Sequence, residues 1–236
     1  MAPSTAKPVA DPVRTDRYER KFAIAGIGVA EVEHAIRLHP AQFSEIYQER
    51  FINNCYFDSP FHHLYRDAIE GHPSRLKVRI RWYGDLFGAA AKPRLELKRK
   101  EGLVGTKESF PVPGFVLDRG SDLGVLVEWF SEAEIPPEIS GVIGAFRPTL
   151  VNRYRRRYFG SADRRLRMTL DTGCEYYQPE PPHDQATSLA GDVSAIVELK
   201  YQVADDSLAA AAANHFPARI TKSSKYVNGL SLVRRR

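Results

Sequence analysis

The chain has almost no cysteine: Cys55 and Cys174 stand alone and form no CxxC pair. That excludes a cysteine zinc cluster and argues against a disulfide framework. Long hydrophobic runs are also missing. The longest stretch free of polar and charged side chains, Phe22 to Ala30, is far short of the ~20 residues that span a bilayer, so no membrane segment is expected. No charged region followed by an apolar one opens the sequence, so there is no secretory signal to expect and the expected location is cytoplasmic. The seven histidines fall into no HExxH or other ligand spacing.

What the sequence does have is clustered positive charge. The net charge of +5 over 236 residues is modest, and such an excess matters only where it is concentrated. From Arg75 to Lys107 there are ten Lys and Arg against Asp85, Glu96 and Glu101, and from Arg147 to Arg167 eight arginines against Asp163. Between them, Asp118 to Glu138 carries six acids and only Arg119. Two basic blocks around an acidic one point to a cationic site assembled from separated segments of one fold. A solvated surface with uneven charge is the plainer alternative, and the patterning inside the blocks argues against it.

Residues 1–16, with Pro3, Pro8 and Pro12 among small and polar residues, read as a disordered lead-in. Strands are expected over Tyr18–Ile24, Phe51–Phe57, Arg75–Tyr83, Arg94–Lys100, Lys107–Val112, Leu150–Phe159, Arg165–Asp171 and Ala195–Val203. Helices are expected over Val29–Leu38, Leu117–Phe130 and Asp206–His215, and Gln178 to Asp192 reads as a loop. Residues 17–230 form a single domain with no internal repeat, and 231–236 a basic tail.

Arg75, Lys77, Arg79, Arg81 and Tyr83 alternate with Leu76, Val78, Ile80 and Trp82, the period of a strand. Its polar face is a row of cations, and like charges facing one another across a sheet are destabilising. Such faces need solvent, an anion or interleaved acids. The acids recur in one pattern: Glu19 with Lys21, Glu96 with Lys98, and Glu198 with Lys200. The simplest object with these faces is an α+β fold built on an antiparallel eight-stranded β-barrel with a charged lumen and flanking helices. Convergent Lys and Arg attract a chain of phosphates, and carboxylates among them supply hard oxygen ligands for Mn²⁺ or Mg²⁺.

Nine segments in order, "RYERKF" (17–22), "NNCYFDSP" (53–60), "RLKVRIRWYG" (75–84), "LELKRK" (95–100), "KESFPV" (107–112), "RPTLVNRYRRRYF" (147–159), "LRMTLDT" (166–172), "VELKY" (197–201) and "ITKSSKYVNGL" (220–230), resemble the VTC domain. This is the polyphosphate polymerase domain of vacuolar transporter chaperone proteins, within the CYTH-like triphosphate tunnel metalloenzymes. The resemblance implies an eight-stranded tunnel in which a nucleoside triphosphate donates its terminal phosphoryl group to inorganic polyphosphate with a divalent metal. It implies phosphate-facing roles for Lys21, Arg79, Arg81, Lys98, Arg156 and Arg167, with Lys107, Tyr154, Lys222, Ser224 and Lys225 as further substrate contacts. Lys200 joins these from its E-x-K strand. The resemblance makes Glu198 the metal ligand, and Glu19 and Glu96 are further candidates. Tyr154 reads equally as a core aromatic, Ser224 as a cap, and the inward member of Arg153, Arg155, Arg156 and Arg157 stays open by one register step. No counterpart of the eukaryotic proteins' regulatory domain and membrane segments is expected, so coupling to translocation is not implied.

A triphosphatase on the same fold and a non-catalytic polyphosphate-binding module are the alternatives. Nucleic-acid binding, suggested by Tyr83, Tyr154 and Tyr158 among the cations, is not expected: the cations alternate with acids on strands and no recognition motif appears.

Overall fold

In the structure, a computed structural model, residues 17–102, 104–128, 135–181, 186–188 and 193–234 are described. In chain order the main elements are β1 (Arg17–Ala25), α1 (Val29–Arg37), β2 (Ser44–Asp58), α2 (His63–Glu70), β3 (Ser74–Tyr83), β4 (Gly88–Ala90), β5 (Arg94–Glu101), β6 (Val104–Pro111) and β7 (Phe115–Leu117). They continue with α3 (Pro137–Ile143), β8 (Arg147–Gly160), β9 (Arg167–Tyr177), β10 (Thr187–Ser188), β11 (Val193–Gln202), α4 (Asp206–Asn214) and α5 (Lys225–Val233). The lead-in 1–16 and the end of the basic tail, Arg235 and Arg236, lie outside the described residues.

The long strands pair antiparallel in the order β1-β11-β9-β8-β2-β3-β5-β6, with β10 on β9 and a separate β4-β7 ribbon. Alternation puts the apolar half of each strand on the convex face. Val78, Ile80, Trp82, Leu95 and Leu97 pack under the β4-β7 ribbon, a 3-10 turn at Leu123–Val127 and α3. Phe22, Ile24, Met168, Leu170, Val197 and Leu199 pack under α1 and α4. Each such buried side chain contributes roughly 1.5–3 kcal/mol, and the opposite side chains of the long strands, among them the charged rows of β3 and β5, are thereby turned to the concave face.

The expected closed barrel needs correction. The sheet is an open path, and its edge strands β1 and β6 are not paired with each other. The edge of β1 is taken by the segment leading to α5: Thr221 N donates to the Lys21 carbonyl at 2.7 Å, and Ala23 N donates to Thr221 Oγ1 at 3.0 Å. Between the two ends of the sheet, Lys98 Nζ of β5 reaches Glu19 Oε1 of β1 at 3.3 Å. A side-chain pair spans the seam where a closed barrel would have a ladder. The helix expected over Leu117–Phe130 is, in its described part, the end of β7 and the 3-10 turn. Asp122 caps that turn by accepting from Gly124 N at 2.8 Å. No helix among the described residues is long and apolar enough to cross a membrane.

The closing helix α5 was not expected, and it runs to Val233, into the segment read as a tail. Its Tyr226, Leu230 and Val233 pack on Tyr56, Leu150 and Tyr176, and Tyr56 and Leu150 lie on the concave faces of β2 and β8 by strand period. Gly229 makes this approach possible: a Cβ there would lie 2.2 Å from Tyr176 Cδ1 and 2.7 Å from Leu150 Cδ2. Both neighbours are fully buried and cannot yield cheaply. Gly229→Ala is therefore expected to destabilise by about 1–3 kcal/mol, read as a lowered denaturation midpoint. An unchanged midpoint would mean that α5 is not packed in this way.

Candidate functional site: a cationic cavity in the curled sheet

The concave face encloses a cavity of about 680 Å³ lined by ten Lys and Arg side chains and four glutamates. Strand alternation supplies most of them: Lys21 from β1, Lys77, Arg79 and Arg81 from β3, Arg94, Glu96 and Lys98 from β5, Lys107 from β6, Arg156 from β8, and Glu198 and Lys200 from β11. Ser223, Ser224 and Lys225 come from the start of α5. Of the residues singled out in the sequence, Lys21, Arg79, Arg81, Lys98, Arg156, Glu198, Lys107, Tyr154, Lys200, Ser224, Lys225, Glu19 and Glu96 all line this cavity. Arg167 and Lys222 do not. Both are exposed; Arg167 opens β9 beside Lys200, and Lys222 sits in the coil before α5. Alternation along β8 answers the register question. Tyr154 and Arg156 face the cavity, while Arg153 stacks on Phe51, Arg155 is exposed and Arg157 pairs with Glu33 and Glu45.

Two buried carboxylates organise the cations. Glu96, 5% exposed, accepts from Arg79 Nε at 2.9 Å and Nη2 at 2.7 Å and from Lys107 Nζ, with Arg81 Nη1 at 3.7 Å. Burial alone would raise its carboxyl, yet Arg79, Arg81 and Lys107 together hold it below the usual carboxylate range. Glu198, 6% exposed, meets Lys200 at 2.8 Å, Lys21 at 3.0 Å and Arg156 at 3.4 Å. Against the same burial penalty, Lys200, Lys21, Arg156 and Lys225 hold it well below that range. Behind them the fully buried Asp171 takes a two-pronged contact from Arg156 and another from Lys225. Arg81 is aimed by Asn54, whose Oδ1 accepts from Arg81 Nε at 2.9 Å while its Nδ2 donates to Asn152 Oδ1 at 2.8 Å.

Among the described residues no three His, Cys, Asp or Glu side chains converge on one point. Glu19 and Glu198 nonetheless share a single cation, Lys21 Nζ, at 3.2 and 3.0 Å. Mg²⁺ is commonly held by one or two carboxylates with substrate phosphates completing its shell, and this oxygen pair on the wall of the cationic cavity fits that donor set. Glu96 is engaged on both oxygens by cations, and so is Glu198, by Lys21 on Oε1 and by Lys200 and Arg156 on Oε2.

Sequence reasoning passed over Lys77, Asp171, Asn54 and Asn152. Lys77 was legible as a member of the alternating cation row, and Asp171 as the acid of "LDT"; the asparagines showed only as polar residues inside apolar strands. Lys77 differs from Arg79 and Arg81, which also reach Glu96, in having a hydroxyl and no carboxylate as its hydrogen-bond partner: its Nζ donates to Ser224 Oγ at 2.9 Å, and the same oxygen accepts from Val227 N at 3.4 Å. Ser224 is therefore both the cap of α5 and a cavity contact. Burial, with Lys21, Lys98 and Arg79 nearby, brings the Lys77 ammonium down to about 7. A depressed ammonium weakens the folded state below about pH 7 and is relieved as pH rises toward its unfolded value. A phosphate anion reverses the effect by favouring the charged form. Binding of inorganic triphosphate at about pH 8 is thus expected to take up about one proton, fading below about pH 6, by calorimetry in buffers of different ionisation enthalpy. Lys77→Met should abolish the uptake. Uptake that is the same in Lys77→Met would assign it to another group.

The sequence profile of the VTC domain matches residues 16–234. No curated protein matches the chain. Among solved structures, one described as a candidate adenylate cyclase from Vibrio parahaemolyticus superposes with a TM-score of 0.52 at 11% identity, over 91% of this chain and 98% of that one. HpAC1 from Hippeastrum, described as an adenylyl cyclase candidate with a dominant triphosphatase activity, gives 0.52 at 16% identity, over 91% and 94%. The PH1819 protein of Pyrococcus horikoshii OT3 gives 0.53 at 12%, over 93% and 99%. At these identities the likeness is one of fold: an antiparallel sheet curled round a cavity. The profile match spans every strand of that sheet, and by it the chain belongs to the VTC domain family.

Proposed function

We propose that this protein transfers the terminal phosphoryl group of a nucleoside triphosphate to the end of an inorganic polyphosphate chain within the cationic cavity. The observation that carries the reading is the state of the cavity's carboxylates. Glu96 and Glu198 are each tied to three cations, which makes them weak bases. Phosphoryl transfer asks a protein chiefly for positioning and charge stabilisation. A polyphosphate end is already ionised and needs no base to attack. In this reading Lys21, Arg79, Arg81, Lys98, Lys107, Arg156, Lys200 and Lys225 hold donor and acceptor phosphates, and Tyr154 and Ser224 add hydrogen bonds. Glu198 with Glu19 would hold a divalent metal, Mn²⁺ or Mg²⁺, whose chemistry is to polarise the transferred group and offset charge on the leaving diphosphate.

A second reading, a triphosphatase, is favoured by the activity described for HpAC1. Water as acceptor must be positioned and must give up a proton, to a side chain or to the transferred phosphate itself. The cavity group closest to neutrality, Lys77, becomes charged once a phosphate lies beside it, and this weighs for the polymerase. Incubation with a nucleoside triphosphate and Mn²⁺ is expected to yield acid-insoluble polyphosphate and nucleoside diphosphate in step. Stoichiometric free phosphate with no polymer would establish the triphosphatase instead.

Glu198→Gln separates holding from transferring. It keeps the shape and removes the anion that Lys200, Lys21 and Arg156 share. Turnover is expected to fall by about 100-fold or more, while metal-free triphosphate binding survives or tightens, because a negative charge beside the phosphates has gone. Normal metal-dependent turnover in this variant would move the metal away from Glu198.

A further inference from the structure

Four residues at the end of the sheet beyond Arg81 and Arg156 take no part in holding phosphate. Tyr83 follows Arg81 on the cation row of β3, and Tyr158 follows Arg156 on β8. Arg50 lies opposite Arg156 on β2, in the half of that strand whose residues are mostly exposed. The Arg50 guanidinium lies 5.7 Å from the ring centre of Tyr47, 5.5 Å from that of Tyr83 and 5.2 Å from that of Tyr158. Tyr47 and Tyr158 meet edge to face at 5.6 Å. Tyr47 is 51% and Tyr83 47% exposed, so this is not core packing: two rings present aromatic surface to solvent. Tyr158 joins the cluster to the cavity, lying within reach of the charges of Arg156 and Arg81 as well as of Arg50.

We propose that Tyr47 and Tyr83, braced by Arg50 and Tyr158, form a stacking platform for the nucleobase of a nucleoside triphosphate whose phosphates occupy the cavity. The proposal rests on the reading of a nucleoside triphosphate as phosphoryl donor. A base has a large π face that aromatic side chains hold regardless of its sequence of polar edges. A guanidinium among the rings adds cation–π attraction and fixes their orientation. The platform continues the phosphate-holding face, so one ligand with an aromatic end and a polyanionic end satisfies both. Contact through ring faces implies tolerance among the bases. The motif is also the tyrosine-interleaved basic pattern of the sequence, which here serves a single nucleotide.

The test compares ATP with inorganic triphosphate, which lacks the base, by metal-free calorimetry on the wild type, Tyr83→Ala, Tyr47→Ala and Tyr83→Phe. Both tyrosines are half-exposed, and unchanged melting temperatures check that the variants fold. The alanine variants are expected to lose about 5-fold or more in ATP affinity, the scale of one lost base stack, with inorganic triphosphate held within about twofold and Tyr83→Phe behaving as wild type. Equal weakening of both ligands, or weakening of neither, overturns the platform. A parallel polymer assay on the wild type keeps the two readings apart. If no polymer forms from ATP while base-dependent affinity is seen, the polymerase reading falls and the platform stands.

Discussion

Repulsion among cations is the constraint on which the rest of the structure depends. Two unit charges about 4 Å apart interact by roughly 4 kcal/mol at an effective dielectric of 20, and ten Lys and Arg share one cavity. They coexist because buried carboxylates divide them into groups. Glu96 gathers Arg79, Arg81 and Lys107 on the β3-β5-β6 side. Glu198 and Asp171 gather Lys21, Lys200, Arg156 and Lys225 on the β1-β11-β9-β8 side. Each of these acids is held below its ordinary range despite burial. A carboxylate lowered in the folded state stabilises it above the unfolded value, and that stability is lost as pH falls through the folded value. Acid therefore acts on this fold from inside the cavity.

The same constraint sets the architecture. With charge on the concave face, the apolar face must be convex and needs a cover, which α1 and α4 supply on one side and the β4-β7 ribbon with α3 on the other. The cavity must also stay wide enough for long hydrated side chains, and the sheet is left open between β1 and β6. The last helix makes good part of that gap. Its approach segment bonds to the edge of β1, and Tyr226 donates to the buried Asp58, whose carboxylate also accepts from the Leu64 and Tyr65 amides at the start of α2. Asp58 thus fixes α5, and with it Ser224 and Lys225, to the opposite end of β2.

Much of this was legible in the sequence, for one reason: a period of two with charge on one side is visible without any structure. The β3 row, the three E-x-K strands and the ordered VTC-like segments located most of the cavity's charged residues. What was not legible depends on pairing across distance. The open seam follows from Thr221 lying against β1, a contact that no local pattern records. Helix α5 is a short helix whose apolar spacing, Tyr226, Leu230 and Val233, is interrupted by Gly229, a residue that reads as a breaker and is there for a close approach. Arg167 was placed by its motif, but as the first residue of β9 it falls outside the cavity. Leu117–Phe130 has helical spacing, yet Asp118 and the Asp122 cap turn the described part into a tighter path.

The two carboxylate groups also explain why Lys77 behaves unlike its neighbours. Lys225 has Asp171 as partner and is raised, whereas Lys77, buried to a similar degree, has only a hydroxyl at hydrogen-bond distance and is lowered to about 7. The difference is not burial but the charge of the partner. Lys77 lies close to Lys21 on one side of the seam and to Lys98 on the other, where neither Glu96 nor Glu198 neutralises it. An empty cavity can shed charge there by releasing a proton, and a phosphate arriving there restores it. The cavity's net charge is thus set partly by its occupant, which lets one lumen be stable when empty and strongly attractive to a polyanion when filled.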